Sequence, residues 1–141
     1  MFKKIMSILS AIVLFAVIGI PTYAEEVDPF IDEVITEEYL YTASIGSGLS
    51  ISNKKATCSS SVLGYDGTAT KIVVTQTLQK KAGASWTGTS TWTKTYNTWY
   101  CKYTNYKSSL IGGTYRLKTV AKVYSGSNYE TITAYSFERT C

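Results

Sequence analysis

The chain has 141 residues, of which 45% are hydrophobic, and it carries a formal net charge of +4 with three cysteines and no histidine. The lack of histidine removes the commonest general base and the commonest metal ligand. Three cysteines cannot all pair within one chain, so any internal disulfide scheme leaves at least one thiol over.

Residues 1–24 have the pattern of a secretory signal peptide. Lys3 and Lys4 precede an apolar stretch over residues 5–20, and small residues around Ala24 offer a cleavage site. The alternative is a retained membrane anchor, but about 16 apolar residues fall short of the roughly 20 that span a bilayer. We expect cleavage after Ala24 and a secreted product, extracellular or associated with the cell wall, which meets a membrane only through this peptide before cleavage.

Charge is distributed very unevenly along the rest of the chain. Residues 25–38 contain seven acids and no base, whereas residues 39–141 contain twelve Lys or Arg against three acids, giving −7 and +9. We expect the acidic segment to be a flexible leader. Two roles remain open for it, a spacer behind the signal peptide and a mask over the basic part. A basic exported domain suits anionic partners, although lysines also keep sheet edges unpaired.

Alternating apolar and polar residues predict that 39–141 is one β-domain. Leu49 and Ile51 alternate with serines in the first strand, and Asn53-Lys54 is expected to turn the chain into the second. The second strand places on one face Ala56, Cys58, Ser60 and Val62. After a loop at 64–67, the third strand, 71–80, places on one face Ile72, Val74, Gln76 and Leu78.

Residues 86–96 are rich in threonine, which suits a strand because its branched Cβ is crowded in a helix. The threonines at 87, 89, 91, 93 and 95 are expected to form one row, with Trp92, Lys94 and Tyr96 in the other. A row made wholly of threonine favours an edge strand. Trp99, Cys101 and Tyr103 then alternate with polar neighbours in a fifth strand.

A long β-hairpin over residues 112–135 supplies the last two strands. One side of its first strand carries Tyr115, Leu117, Thr119, Ala121 and Val123, and the other carries Arg116, Lys118 and Lys122. The count reaches seven strands, which predicts an all-β, seven-stranded, immunoglobulin-like antiparallel sandwich. Tyr115 enters the penultimate strand two residues before an inward Leu117, as the tyrosine of a tyrosine corner does.

The three cysteines have different expected fates. Leu117 occupies the place where antibody domains carry a cysteine, so Cys58 is expected to be a buried free thiol. Cys101 and Cys141 are candidates for an internal disulfide that staples the C-terminus to the sheet. A bond between two chains, or two free thiols in a reducing habitat, are the alternatives.

The residues offer little for catalysis and more for binding. Only Asp66, Glu130 and Glu138 are acidic in the body, no phosphate-binding loop occurs, and the cysteines lack zinc spacing. We therefore expect no enzyme, no catalytic residue, no metal and no cofactor. Exposed aromatic side chains stack on sugar rings or anchor partners. The candidate binding residues are Trp92, Lys94, Tyr96, Trp99, Tyr103, Arg116, Lys118 and Lys122.

The function predicted from these features is binding of an anionic cell-wall polymer or another glycan of the cell envelope, without chemistry. The alternative is a bacteriocin-like or toxin effector that acts on other cells. Aromatic and basic surfaces also suit single-stranded nucleic acid, but an exported chain rarely meets it, and no nucleic-acid partner is expected.

The chain also resembles a family of short exported proteins from Gram-positive bacteria whose function is unknown. The segments that carry this resemblance are residues 55–58, 70–75, 78–81, 113–116 and 123–127, together with Trp86. The resemblance covers roughly residues 45–136. It implies export and a small β-domain, and it transfers no catalytic residue.

Overall fold

The computed structural model describes residues 31–35 and 39–141, and this part of the chain is built from β-strands. The predicted signal peptide, 1–24, lies outside the described residues. The strands are β1 (Glu33–Ile35), β2 (Thr42–Ser52), β3 (Lys55–Gly64), β4 (Lys71–Ala82), β5 (Ser85–Tyr96), β6 (Tyr100–Lys107), β7 (Thr114–Ser125), β8 (Asn128–Tyr135) and β9 (Arg139–Thr140). Among the described residues, no helix is long and apolar enough to cross a membrane.

The strands form two antiparallel sheets that pack into a β-sandwich. The first, called here the four-stranded sheet, has the order β1-β2-β3-β6. The second, the five-stranded sheet, has the order β5-β4-β7-β8, and β9 pairs with the start of β7. The seven long strands are those predicted from the sequence, and the all-β prediction is confirmed. The two short strands, β1 and β9, were not predicted.

Strand β1 corrects part of the expectation for the acidic leader. Its residues pair with β2 in register from Glu33 opposite Ser47 to Ile35 opposite Ile45. Just before it, the Asp32 carboxylate lies 2.6 Å from an amine of the Arg139 guanidinium. Residues 33–35, which were expected to be flexible, thus form the edge strand of the four-stranded sheet. Residues 25–30 and 36–38 lie outside the described residues.

Alternating burial in the central strands places the core between the two sheets. In β4, Ile72, Val74, Gln76 and Leu78 are all completely buried, as predicted. In β7, Leu117, Ala121 and Val123 are equally inaccessible. Because neighbouring side chains of a strand point to opposite faces, the residues between them form the outer surface of the five-stranded sheet.

A chain of polar side chains crosses the middle of this core. Gln76 Nε2 donates to Ser60 Oγ at 2.8 Å and to the Tyr103 carbonyl at 2.9 Å. The Ser60 hydroxyl lies 2.7 Å from Thr119 Oγ1, which in turn lies 2.9 Å from Ser47 Oγ. These hydrogen bonds link five strands, β2, β3, β4, β6 and β7, and separate two apolar clusters, one around Ile72 and one around Leu78. Every buried side-chain polar atom of the described residues has a partner.

Tight turns hold the long hairpins in register. Asn53 and Lys54 both have positive φ, 52° and 59°, as a two-residue hairpin of the primed type requires. The predicted turn at these residues is confirmed. Gly126, with φ of 61°, lies in the turn between β7 and β8, where a residue with a Cβ would be strained.

A bulge in β5 makes the prediction of one all-threonine row wrong. Leu78 pairs with Ser90, but the next residue of β4, Gln79, pairs with Gly88, so Thr89 is an extra residue. Its hydroxyl donates to the Leu78 carbonyl at 3.0 Å. Thr91, Thr93 and Thr95 therefore share the outer surface, whereas Thr87 is on the opposite face and Trp86 points outward. The prediction that β5 is an edge strand is confirmed.

Tyr115 and Cys58 agree with the sequence predictions, whereas Cys101 and Cys141 do not. The Tyr115 hydroxyl donates to the Ile111 carbonyl at 2.6 Å, the bond expected of a tyrosine at this position. Cys58 is a buried free thiol, as predicted. The proposed bond between Cys101 and Cys141 is absent, since both thiols are free. Cys101 belongs to the cluster around Ile72, whereas Cys141 packs against the cluster around Leu78.

Candidate functional site: the outer face of the five-stranded sheet

The outer face is the side of the five-stranded sheet turned away from the four-stranded sheet. The register of β4, β5, β7 and β8 places cationic and aromatic side chains there. The cations are Lys71, Lys81, Arg116, Lys118 and Lys122. The aromatic residues are Trp86, Tyr124, Tyr129 and Tyr135.

At one end of the outer face, Arg116 is held between two aromatic rings. Its guanidinium carbon lies 4.3 Å from the ring centre of Trp86 and 4.3 Å from that of Tyr135. Its Nε donates to Gln79 Oε1 at 2.7 Å, which fixes the rotation of the guanidinium plane. Lys81 Nζ lies 5.7 Å from the Trp86 ring. We call these residues the arginine subsite.

At the other end, two lysines flank a pair of tyrosines. The rings of Tyr124 and Tyr129 are 5.1 Å apart, at an interplanar angle of 39°. Lys71 Nζ lies 4.1 Å from the Tyr124 ring centre, and Lys122 Nζ lies 5.3 Å from that of Tyr129. Tyr129 is 53% exposed, so much of its ring is open to a ligand. We call these residues the tyrosine subsite.

The floor between the subsites is made of small polar and branched side chains. Thr75 and Thr93 are joined by a hydroxyl contact of 3.1 Å, and Thr77 and Thr91 by one of 3.3 Å. Lys118 lies on this floor, opposite Thr77 and two residues along β7 from Arg116. The floor thus offers hydroxyl groups and one cation without a bulky side chain that would divide the face.

The outer face is electropositive because the acids of the described residues lie mostly elsewhere. Glu130 faces the other way and accepts from the backbone N–H of Tyr41 at 2.8 Å. Asp32 is paired with Arg139, across the molecule's edge. Glu138 lies at the rim of the face, 3.6 Å from Lys81, and an ion pair between such exposed groups contributes little.

The structure does not bring the eight predicted binding residues together. Arg116, Lys118 and Lys122 share the outer face. The four aromatic candidates are half-buried and pack against the two core clusters instead: Trp92, Tyr96, Trp99 and Tyr103. Lys94 is exposed on the edge strand with its Nζ 5.0 Å from the Tyr96 ring, away from the arginine subsite.

Six residues of the outer face were not predicted from the sequence as binding residues: Lys71, Lys81, Trp86, Tyr124, Tyr129 and Tyr135. For Tyr124, the signal was present, because it continues the alternation that contains Lys118 and Lys122. Tyr129 and Tyr135 alternate in the same way with buried residues of β8. Trp86 could not be found by alternation, since the bulge at Thr89 reverses its direction.

A second surface feature is a cavity of about 460 Å³ at the edge of the four-stranded sheet. Its lining includes Leu63, Trp99, Tyr100 and Cys101. Burial raises the pKa of the Cys101 thiol to about 11, so this cysteine stays protonated near neutral pH and is a poor nucleophile. The cavity is therefore an apolar recess without an activated group.

The part of the chain that the structure describes contains no group of three Cys, Asp or Glu side chains that could bind one metal ion.

No family model matches the chain, and it has no significant match among curated proteins or solved structures. The resemblance to an exported Gram-positive family therefore stays a prediction.

Proposed function

We propose that this is a secreted, non-catalytic, immunoglobulin-like protein that binds an anionic glycan or wall polymer of the cell envelope through the outer face. The observation that carries the proposal is the guanidinium of Arg116 held between Trp86 and Tyr135 on a surface with four lysines. A planar cation fixed in this way suits oxyanions, and neighbouring aromatic rings suit sugars.

The immunoglobulin-like assignment is supported by the connectivity. Without the two short strands, the sheets read β2-β3-β6 and β5-β4-β7-β8. This order corresponds to strands A, B and E on one sheet and C′, C, F and G on the other. Tyr115 then lies at the start of strand F. Its hydroxyl bonds to the backbone of Ile111, four residues upstream, as the hydroxyl of a tyrosine corner does.

The charge distribution favours the outer face, and not the opposite side of the sandwich, as the surface that binds an anionic polymer. The outward rows of β3 and β6 carry two lysines, Lys55 and Lys102, whereas the outer face carries five cations. Long-range attraction scales with the summed charge of a surface and raises the local concentration of an anionic polymer. Such attraction is screened by salt, over about 8 Å at physiological ionic strength.

The test is retention of the purified protein on isolated Gram-positive cell wall. The variant Lys118→Gln/Lys122→Gln removes two charges from the outer face, and the matched control Lys55→Gln/Lys107→Gln removes two charges elsewhere. We expect retention by the native protein and the control, a several-fold loss in the outer-face variant, and a decrease with added salt.

Equal retention of the two variants, or retention that does not respond to salt, would contradict the proposal. No retention at all, combined with growth inhibition of neighbouring strains by the purified protein, would favour the effector alternative instead.

A further inference from the structure

We infer that the outer face is a two-subsite receptor for one extended polyanion, which must be long enough to bridge the arginine and tyrosine subsites. This inference rests on the proposed function and specifies its ligand. The ligand class is a flexible chain that carries repeated oxyanions, either carboxylates of a uronic-acid glycan or phosphodiesters of a wall polymer.

The arginine subsite is organised for a bidentate oxyanion. The Arg116 guanidinium contacts the rings of Trp86 and Tyr135, and its Nε donates to Gln79 Oε1. Its two terminal amines have no acceptor among the described residues. These amines lie in one plane, which matches two oxygens of a carboxylate or phosphate. The two ring contacts and the hydrogen bond to Gln79 restrict the guanidinium, so less rotamer freedom is lost on binding.

The tyrosine subsite has a different chemistry. Lys71 and Lys122 carry compact positive charges that can bind an oxyanion approaching from many directions. The guanidinium of an arginine, in contrast, presents its donors in one fixed plane. The two lysines flank the rings of Tyr124 and Tyr129 on adjacent strands. The exposed part of Tyr129 offers a hydrophobic surface for a sugar ring or a polymer backbone. This subsite therefore attracts an anion without fixing its orientation.

The distance between the subsites sets the length of the ligand. Arg116 and Lys122 are six residues apart on β7, and a strand rises about 3.3 Å per residue, so their backbones are roughly 20 Å apart. Lys118 lies roughly 7 Å from Arg116 by the same rise. Once one end of a polymer is bound, binding at the other end becomes intramolecular, and the combined affinity exceeds that of either end by roughly 10²-fold or more.

The experiment measures affinity against two series of increasing length by isothermal titration. One series consists of oligogalacturonates, which carry carboxylates, and the other of glycerol-phosphate oligomers, which carry phosphodiesters. We expect weak binding of the shortest members and a rise of about 100-fold once the chain reaches roughly 20 Å, with little gain beyond. The series that binds more tightly identifies the source of the oxyanion.

Two variants separate the subsites. Lys122→Gln, at an exposed position, removes one of the two cations of the tyrosine subsite and should reduce the rise with length several-fold. Arg116→Lys retains the charge and should weaken all lengths by about 10-fold, because a lysine cannot present the planar pair of donors. Lys55→Gln is the matched control for Lys122→Gln and should behave like the native protein.

The outcomes distinguish this inference from the proposed function. Retention on cell wall together with an affinity that grows smoothly with ligand charge, without a threshold, overturns the two-subsite inference alone. An unchanged length profile in Lys122→Gln overturns it as well. The absence of binding to cell wall and to both series overturns both proposals.

Discussion

Gln76 offers the most direct test of how the sandwich is held together. Its side chain is completely buried at the centre of β4, where the sequence pattern calls for an apolar residue. Besides its bonds to Ser60 and to the Tyr103 carbonyl, its Oε1 accepts from Asn105 Nδ2 at 2.8 Å. The substitution Gln76→Met keeps the length of the side chain and removes all three of these short hydrogen bonds.

The loss of stability expected for Gln76→Met can be estimated from the three hydrogen bonds that it removes. Each intramolecular hydrogen bond contributes about 1 kcal/mol net, so three account for about 3 kcal/mol. Ser60 retains Thr119 as a partner, which limits the cost of an unsatisfied hydroxyl. Burial of the methionine offsets part of the loss. We expect a decrease of about 2 to 3 kcal/mol in the free energy of unfolding, a large share of the roughly 5–15 kcal/mol typical of a domain.

Urea denaturation followed by tryptophan fluorescence measures this change as a shift in midpoint at constant slope. The control is Thr75→Val, the adjacent residue of β4, which faces outward and should change stability by less than about 0.5 kcal/mol. A loss below about 1 kcal/mol in Gln76→Met at an unchanged slope would show that the buried network does not stabilise the sandwich as described.

Further predictions concern Tyr115 and the cysteines. Tyr115→Phe removes the bond to Ile111 and should cost about 1 kcal/mol in urea denaturation, and no measurable loss would mean that this bond does not stabilise the strand. Ellman's reagent should find three free thiols in the denatured protein, whereas in the native protein Cys141 should react long before the buried Cys58 and Cys101, and fewer than three after denaturation would indicate a disulfide. Burial raises the pKa of Cys58 from 9.0 to about 12, so the folded state retains a proton that the unfolded chain releases. Stability should therefore fall as pH rises above about 9, by about 1.4 kcal/mol per pH unit for this thiol, and Cys58→Ala should show a shallower decline than the native protein.

The strands themselves could be predicted because their signal is local. The alternation of Ile72, Val74 and Leu78 with polar neighbours reports burial of one face, and the turn at Asn53-Lys54 lies between two such patterns. Burial of Cys58 followed from the same alternation. These features depend on neighbours in the sequence and not on which strands pair.

Other features depend on contacts between distant segments, which the sequence pattern does not contain. Strand β1 is attached through Asp32 and Arg139, which are 107 positions apart. The outward direction of Trp86 depends on the bulge at Thr89, whereas the alternating threonines of the sequence predict an unbroken strand. The candidate site was therefore predicted in part: three cations of β7 were placed on one face, while the stacking partners of Arg116 lie on β5 and β8 and became apparent only from the register of the sheet.

Protection of lysines from acetylation would show which surface of the protein contacts the cell wall. Protein bound to cell wall and free protein are acetylated briefly, and the modified lysines are identified by mass spectrometry. We predict that wall binding protects Lys71, Lys118 and Lys122 and leaves Lys55 and Lys107 as reactive as in the free protein. Protection of Lys55 and Lys107 with unchanged reactivity at Lys118 and Lys122 would contradict the assignment of the outer face as the binding surface.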